Sequence, residues 1–135
     1  MTKIIAAYFV TIVPLVIIDM LWLGWAARSI YMNEIGHLLR KSPELLPAIA
    51  FYLLYAGGLV MFAVHPGLSA DSAGQAMLYG AAFGLVAYGT YDLTNLAVLN
   101  GYTLKMTLID LTWGTLVSAA VSWLSVSVLL KFMPG

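Results

Sequence analysis

The first apolar run of the chain covers residues 4–26 and reads IIAAYFVTIVPLVIIDMLWLGWA. A helix that crosses the hydrocarbon core of a bilayer needs about 20 mostly apolar residues. This run has that length and contains a single charged residue, Asp19. Three further apolar runs follow, at residues 47–64, 75–99 and 107–131. The pattern predicts four transmembrane helices in a single domain that covers residues 1–135.

The composition agrees with a membrane protein. Hydrophobic residues make up 62% of the chain and charged residues only 9%, whereas a soluble domain carries about 25% charged residues. Most of the surface is therefore expected to face lipid, and membrane lipids are the expected partners. The formal net charge is zero and the chain has no cysteine, so we expect no nucleic-acid partner and no thiolate metal site. No metal-binding or dinucleotide-binding motif is present, and we expect no metal and no cofactor.

The first loop, residues 28–44, is rich in charge. Within it, Tyr31, Ile35, Leu38 and Leu39 recur at helical spacing, with polar side chains on the other faces. This spacing predicts a short amphipathic helix at the membrane interface; a frayed extension of the first span is the alternative. The predicted fold is an all-α integral membrane protein, a four-helix transmembrane bundle with an interfacial helix in the first loop.

Basic residues are distributed unevenly between the two sides of the predicted bundle. Cytoplasmic loops are enriched in Lys and Arg, and the first and third loops carry more of them than the opposite side. This distribution predicts that both loops are cytoplasmic and that both termini lie outside. The loops contain Arg28, Arg40, Lys41 and Lys105, and the opposite side contains Lys3 and Lys131.

Small residues recur at four-residue spacing in the third and fourth runs. Gly80 and Gly84 follow Ala76 in the third, and Ser118 and Ser122 lie on a similar stripe in the fourth. Small side chains let two helix backbones approach closely in lipid. Both stripes are predicted to be packing faces, either within one chain or between two chains.

Three aspartates lie inside the apolar runs: Asp19, Asp92 and Asp110. A charged aspartate at mid-membrane costs at least about 2.5–3.5 kcal/mol, and such residues usually face the bundle interior and mark a functional site. Counting a rise of 1.5 Å per residue from the span ends puts each carboxyl roughly 5–10 Å inside the membrane face of the first and third loops. We therefore predict that the three carboxyls converge in one layer and cannot all stay charged there.

Each aspartate has polar or aromatic neighbours about one helical turn away, and side chains at that spacing share a helix face. Trp22 follows Asp19, Tyr88 and Asn95 flank Asp92, and Trp113 follows Asp110. Tyr52 and Tyr55 could add two hydroxyl groups, and Arg28 is the nearest basic residue in sequence for an ion pair. Interhelical hydrogen bonds that only hold the bundle together are the alternative role. The predicted ligand- or proton-binding residues are Asp19, Asp92, Asp110, Asn95, Tyr88, Tyr91, Trp22 and Trp113.

Several strings resemble one known family. They are DMLWLG at residues 19–24, FGLVAYGTYDLTNLA at residues 83–97 and IDLTWG at residues 109–114. They are similar to the bacterial family of predicted membrane proteins catalogued as domain of unknown function 2177, and the resemblance covers nearly the whole chain. The family has no established activity, so the resemblance implies a fold and a location: a multi-pass protein of the bacterial inner (plasma) membrane.

The leading functional hypothesis is binding or translocation of a polar or amphipathic small molecule, or of a lipid, at a pocket that faces the cytoplasm. One alternative is a lipid-modifying enzyme in which an aspartate acts as general acid or base. Another is a non-catalytic subunit that assists a membrane enzyme. A single chain of four helices is small for a transporter, so translocation predicts a homodimer or a membrane-protein partner.

Overall fold

The computed structural model describes residues 2–134, which are mostly helical and contain no β-strand. Two π-helical turns, Trp22–Ala26 and Val60–Val64, extend the first and third helices. The result is four long helical segments, and three of them have the length and hydropathy of membrane spans: Thr2–Ala26, Leu45–Ser69 and Leu104–Phe132. The α-helices are α1 (Thr2–Leu21), α2 (Arg28–Ile35), α3 (Leu45–Leu59), α4 (His65–Ser69), α5 (Ala73–Val98) and α6 (Leu104–Phe132).

The second segment is longer than the sequence predicted. We expected it to end at Val64, because Pro66 and Gly67 usually mark a turn. The helix instead continues through α4, since Pro66 lies in the first turn of α4, where its missing N–H costs little. Gly67 is buried against α5, and a Cβ there would lie 2.6 Å from the Cβ of Ala76. The chain reverses just after α4, where Asp71 has a φ of 54°.

The first loop contains α2 and a short 3₁₀ turn, Gly36–Leu38. Part of the segment predicted as an amphipathic helix is therefore helical. Ile35 is buried and packs with Tyr102 and Met106, which lie in the turn after α5 and at the start of α6. The apolar face of α2 thus packs on one end of the bundle.

Helices α5 and α6 form the most extensive helix pair. A Cβ at Gly80 would lie 2.5 Å from the Oγ of Ser122, and a Cβ at Gly84 would lie 2.7 Å from the Oγ of Ser118. The two predicted small-residue stripes therefore pack against each other within one chain, and the two helices run antiparallel. Close backbone approach supplies the dispersion contacts on which helix association in lipid depends.

Helices α1 and α3 complete the bundle through buried apolar and hydroxyl contacts. The hydroxyl of Thr11 donates to the Oγ of Ser125 at 3.1 Å, which joins α1 to α6. The hydroxyls of Tyr55 and Ser118 lie 2.6 Å apart, which joins α3 to α6. These contacts bring the end of α1, the start of α3, the end of α5 and the start of α6 to the same end of the bundle.

Candidate functional site

A cavity of about 520 Å³ lies at this end of the bundle, between α1, α2, α3, α5 and α6. Its polar lining consists of Asp19, Asp110 and tyrosine side chains, and no Lys, Arg or His lines it. The rest of the wall is apolar. Pockets of about 300–1,000 Å³ with mostly apolar walls and a few placed polar groups are typical of small-molecule sites.

The exposed part of the lining, which we call the mouth, consists of Leu23, Leu39, Phe51 and Tyr91. All four are large side chains with apolar surface, and Tyr91 is 59% exposed. A molecule with an apolar part could therefore lie across the mouth without desolvating polar groups.

Asp19 is 4% exposed, and both of its carboxyl oxygens accept hydrogen bonds from other helices. The hydroxyl of Tyr52 donates to Oδ2 at 2.5 Å, and the indole N–H of Trp113 donates to Oδ1 at 2.9 Å. If the carboxyl of Asp19 carried a proton, that proton would compete with one of these two donors. Asp19 thus joins α1 to α3 and α6 through two hydrogen bonds.

Asp110 is 7% exposed and accepts a hydrogen bond of 2.5 Å from the hydroxyl of Tyr31 on α2. The Tyr31 oxygen accepts in turn from the indole N–H of Trp22 at 3.0 Å. Trp22 stacks on Trp113 with ring centroids 4.2 Å apart, so the partners of Asp19 and Asp110 are in contact. Burial, and then the charge of Asp110, raises the pKa of Tyr31, which keeps its hydroxyl a donor.

Asp92 is fully buried, with 0% exposure. One of its oxygens, Oδ1, accepts a hydrogen bond of 2.5 Å from the hydroxyl of Tyr102. Burial, and then this hydrogen bond, raises the pKa of Tyr102, so the hydroxyl remains protonated. The other oxygen, Oδ2, has no hydrogen-bond donor among the described residues.

The carboxyls of Asp92 and Asp110 lie within hydrogen-bonding reach of each other. Two carboxyl groups can hydrogen bond only when one of them carries a proton. A shared proton would therefore link these two carboxyls.

Within residues 2–134, no Lys, Arg or His side chain forms an ion pair with these carboxyls. The ion pairs of the described residues are Arg40 with Glu44 at 2.9 Å and Lys105 with Glu34 at 3.9 Å. Arg28 was predicted as the nearest basic residue for an ion pair with the aspartates. Its side chain is exposed and forms neither of these ion pairs. Within residues 2–134, no group of three or more His, Cys, Asp or Glu side chains is arranged to hold a metal ion.

The hydrogen-bond partners differ from those that helical spacing indicated. Trp113 bonds to Asp19 rather than to its own neighbour Asp110, and Trp22 bonds to Tyr31. Side chains at i and i+3 on one helix run side by side, so their polar ends meet groups on facing helices more readily than each other. The donor to Asp92 likewise comes from the turn after α5 and not from Tyr88.

The other predicted residues surround the aspartates less directly. Tyr88 lines the cavity, and its ring packs against Gly114, where no Cβ would fit. Tyr91 lies at the mouth, and Asn95 lies beside both Tyr91 and Tyr102. The structure thus brings all eight predicted residues to one region, and their role in binding a ligand or a proton stays a prediction.

Sequence reasoning missed Tyr31 and Tyr102 as site residues. Sequence spacing placed Tyr31 in an interfacial helix and gave Tyr102 no role. Each nonetheless donates to a buried aspartate. Their positions in the sequence could have indicated this role, because both residues lie close to the ends of the predicted spans that contain the aspartates.

Replacing Tyr102 with phenylalanine is expected to lower the free energy of unfolding by about 2 kcal/mol, because a hydrogen bond to a charged group contributes about 1.5–3 kcal/mol. Equilibrium unfolding in mixed micelles of a mild detergent and dodecyl sulfate measures this change. Tyr79 on α5 has an exposed side chain, and Tyr79→Phe is the control, expected to be neutral. Equal effects of the two substitutions would contradict the assignment of Tyr102 as the donor to Asp92.

Comparison with known proteins adds a family. Residues 4–127 match the model of the family described as "Predicted membrane protein (DUF2177)". No curated protein matches the chain, and no solved structure matches it. The match covers most of the 135 residues, and the chain therefore belongs to this family of predicted membrane proteins.

Proposed function

We propose that the chain is a bacterial inner-membrane protein that crosses the membrane four times and binds a polar or amphipathic small molecule, or a lipid, in the cavity at one end of the bundle. The observation that supports this most is the cavity itself, with its volume of about 520 Å³ and two buried aspartates in an otherwise mostly apolar wall. Translocation of the same ligand would use the same site.

The proposed fourth span is α5, whose hydropathy is lower than that of the other three segments. Its 26 residues are long enough, and about 1.5 Å of rise per residue gives it the length of a span. It lies alongside α6 over most of its length, from Gly80 against Ser122 to Tyr88 against Gly114. A helix that packs along a spanning helix in this way occupies the same slab of the membrane.

The cavity end of the bundle is proposed to face the cytoplasm. The first and third loops lie at this end, and they contain the larger share of the basic residues, which favours the cytoplasmic side. Helix α2 would then lie at the cytoplasmic interface, with its apolar face on the bundle and its charged side chains toward the headgroups.

The shape of the site indicates an amphipathic ligand. Leu23 and Phe51 are exposed at the mouth, on a bundle whose outer surface is apolar, so the mouth is accessible from the acyl-chain region. Asp19 and Asp110 lie in the wall of the same cavity. The apolar part of a ligand would occupy the mouth while its polar group reaches the aspartates.

Filling the cavity should remove the ligand. Ala87 lines the cavity, and Ala87→Phe places a ring in it, so the occupancy of bound small molecules is expected to fall at least about tenfold, equivalent to ~1.4 kcal/mol. Native mass spectrometry of protein released from nanodiscs of bacterial polar lipid measures this occupancy. Ala82→Phe is the matched control, because Ala82 lies on the exposed side of the same helix. If both variants keep the occupancy of the wild-type protein, the cavity is not a binding site.

A further inference from the structure

We propose that the ligand of this cavity is a lipophilic organic cation, with an ammonium group held between Asp19 and Asp110 and an apolar body against the aromatic wall. The proposal rests on the proposed function, because it names the chemical class that the same cavity binds.

The first argument is charge. Two buried carboxyls, Asp19 and Asp110, lie in the cavity wall, and a third, that of Asp92, lies beside Asp110. No ion pair of the described residues reaches these carboxyls. Burying charge without a partner costs several kcal/mol. A bound cation would offset that cost, whereas a phosphate or carboxylate ligand would increase it.

A second observation concerns the carboxyl oxygen Oδ2 of Asp92. Oδ2 belongs to a side chain with 0% exposure and has no donor among the described residues. Apart from a proton shared with Asp110, nothing among the described residues donates to this oxygen. Asp92 adjoins Asp110, and Asp110 lines the cavity.

The aromatic wall selects an organic cation rather than a metal ion. Phe51, Tyr55 and Tyr88 line the cavity, with ring centroids 5.5 Å apart for Phe51 and Tyr55 and 5.8 Å apart for Tyr55 and Tyr88. A cation within about 6 Å of such a ring is attracted by its π face. A Ca²⁺ or Mg²⁺ ion instead needs about six or more oxygen ligands at close range, and a cavity of about 520 Å³ is far larger than a bare ion requires.

Three probes with the same octyl tail and different head groups test the charge preference. Octyltrimethylammonium, octyl sulfate and octyl glucoside are titrated separately into protein in phosphatidylcholine nanodiscs, and the heat measured with empty nanodiscs is subtracted. We expect saturable binding of octyltrimethylammonium with a Kd at least about tenfold lower than for the other two probes. Asp19→Asn and Asp110→Asn should each weaken it at least about tenfold.

The asparagine variants are designed to keep the fold. In Asp19→Asn, the side-chain oxygen can still accept from Trp113 while the hydroxyl of Tyr52 turns to accept from the amide. Asp71→Asn is the matched control, since Asp71 is exposed and its positive φ suits asparagine. It should leave the affinity unchanged.

A further variant tests the aromatic wall without touching the carboxyls. Tyr88→Leu keeps apolar volume and removes a π face, so it should weaken octyltrimethylammonium more than octyl glucoside. Equal binding of all three probes, abolished by Ala87→Phe, would reject the cation and leave the proposed function in place. Absence of saturable octyltrimethylammonium binding to the wild-type protein also rejects the cation. The proposed function is tested separately, by the loss of bound molecules from Ala87→Phe in native mass spectrometry.

Discussion

Replacing Asp110 with leucine is expected to lower the free energy of unfolding by about 3 kcal/mol, whereas replacing it with asparagine should cost much less. The carboxyl of Asp110 lies between the hydroxyl of Tyr31 and the carboxyl of Asp92. Leucine leaves both buried groups without this partner, and each unsatisfied polar group costs about 1–3 kcal/mol.

Asparagine reproduces the protonated form of Asp110. Its carbonyl oxygen can accept from Tyr31, and its amide N–H can donate to the orphan Oδ2 of Asp92. Equilibrium unfolding in mixed micelles, followed by circular dichroism, gives the two free energies. A double variant, Asp92→Leu with Asp110→Leu, should cost less than the sum of the two single leucine changes, since the pair is removed together. Additive costs, or equal costs of leucine and asparagine at Asp110, would show that the two carboxyls do not share a proton.

Replacing Gly84 with leucine is expected to cost about 3 kcal/mol, in the upper part of the range for overpacking. Even a Cβ at Gly84 would lie 2.7 Å from the Oγ of Ser118 and 2.8 Å from its Cβ. The backbone of Gly114 lies on the same side, so no side-chain rotation relieves the clash and α5 must move away from α6.

Gly57 provides the control for this substitution. It lies in α3, and a Cβ there would meet nothing within 4 Å. Gly57→Leu should therefore change stability little, because leucine is favourable where a helix faces lipid and favours the helix more than glycine does. The same unfolding measurement applies to both variants. Comparable stability of Gly84→Leu and Gly57→Leu would contradict the close α5–α6 contact.

Much of the fold could be predicted because a chain in lipid has few choices. Apolar runs of span length must satisfy their backbone hydrogen bonds internally and therefore form helices. The observed helical segments agree with the predicted ones within a few residues, except after Val64. There the helix continues through the π-helical turn into α4, with Pro66 in the first turn of α4. Composition alone does not indicate this continuation. The turn at Gly101 was also readable from the sequence, since its φ of +82° favours glycine.

The layer of aspartates was predictable for a similar reason. Helical rise converts sequence position into depth, so Asp19, Asp92 and Asp110 could be placed at one level by counting residues. Depth does not specify rotation about the helix axis, however, and rotation decides which side chains face each other. The sequence therefore indicated a polar layer without its hydrogen-bond pairs.

Sequence alone predicted the helical membrane class, the ends of most helices, the small-residue packing stripes and a common level for the three aspartates. Tertiary structure alone decided that Tyr52, Tyr31 and Tyr102 are the phenol donors to them, and that a cavity opens beside Asp19 and Asp110. The reason is geometric: local spacing determines depth and face along one helix, while the contact between Gly84 and Ser118 and the docking of α2 set how the helices are rotated and offset against one another.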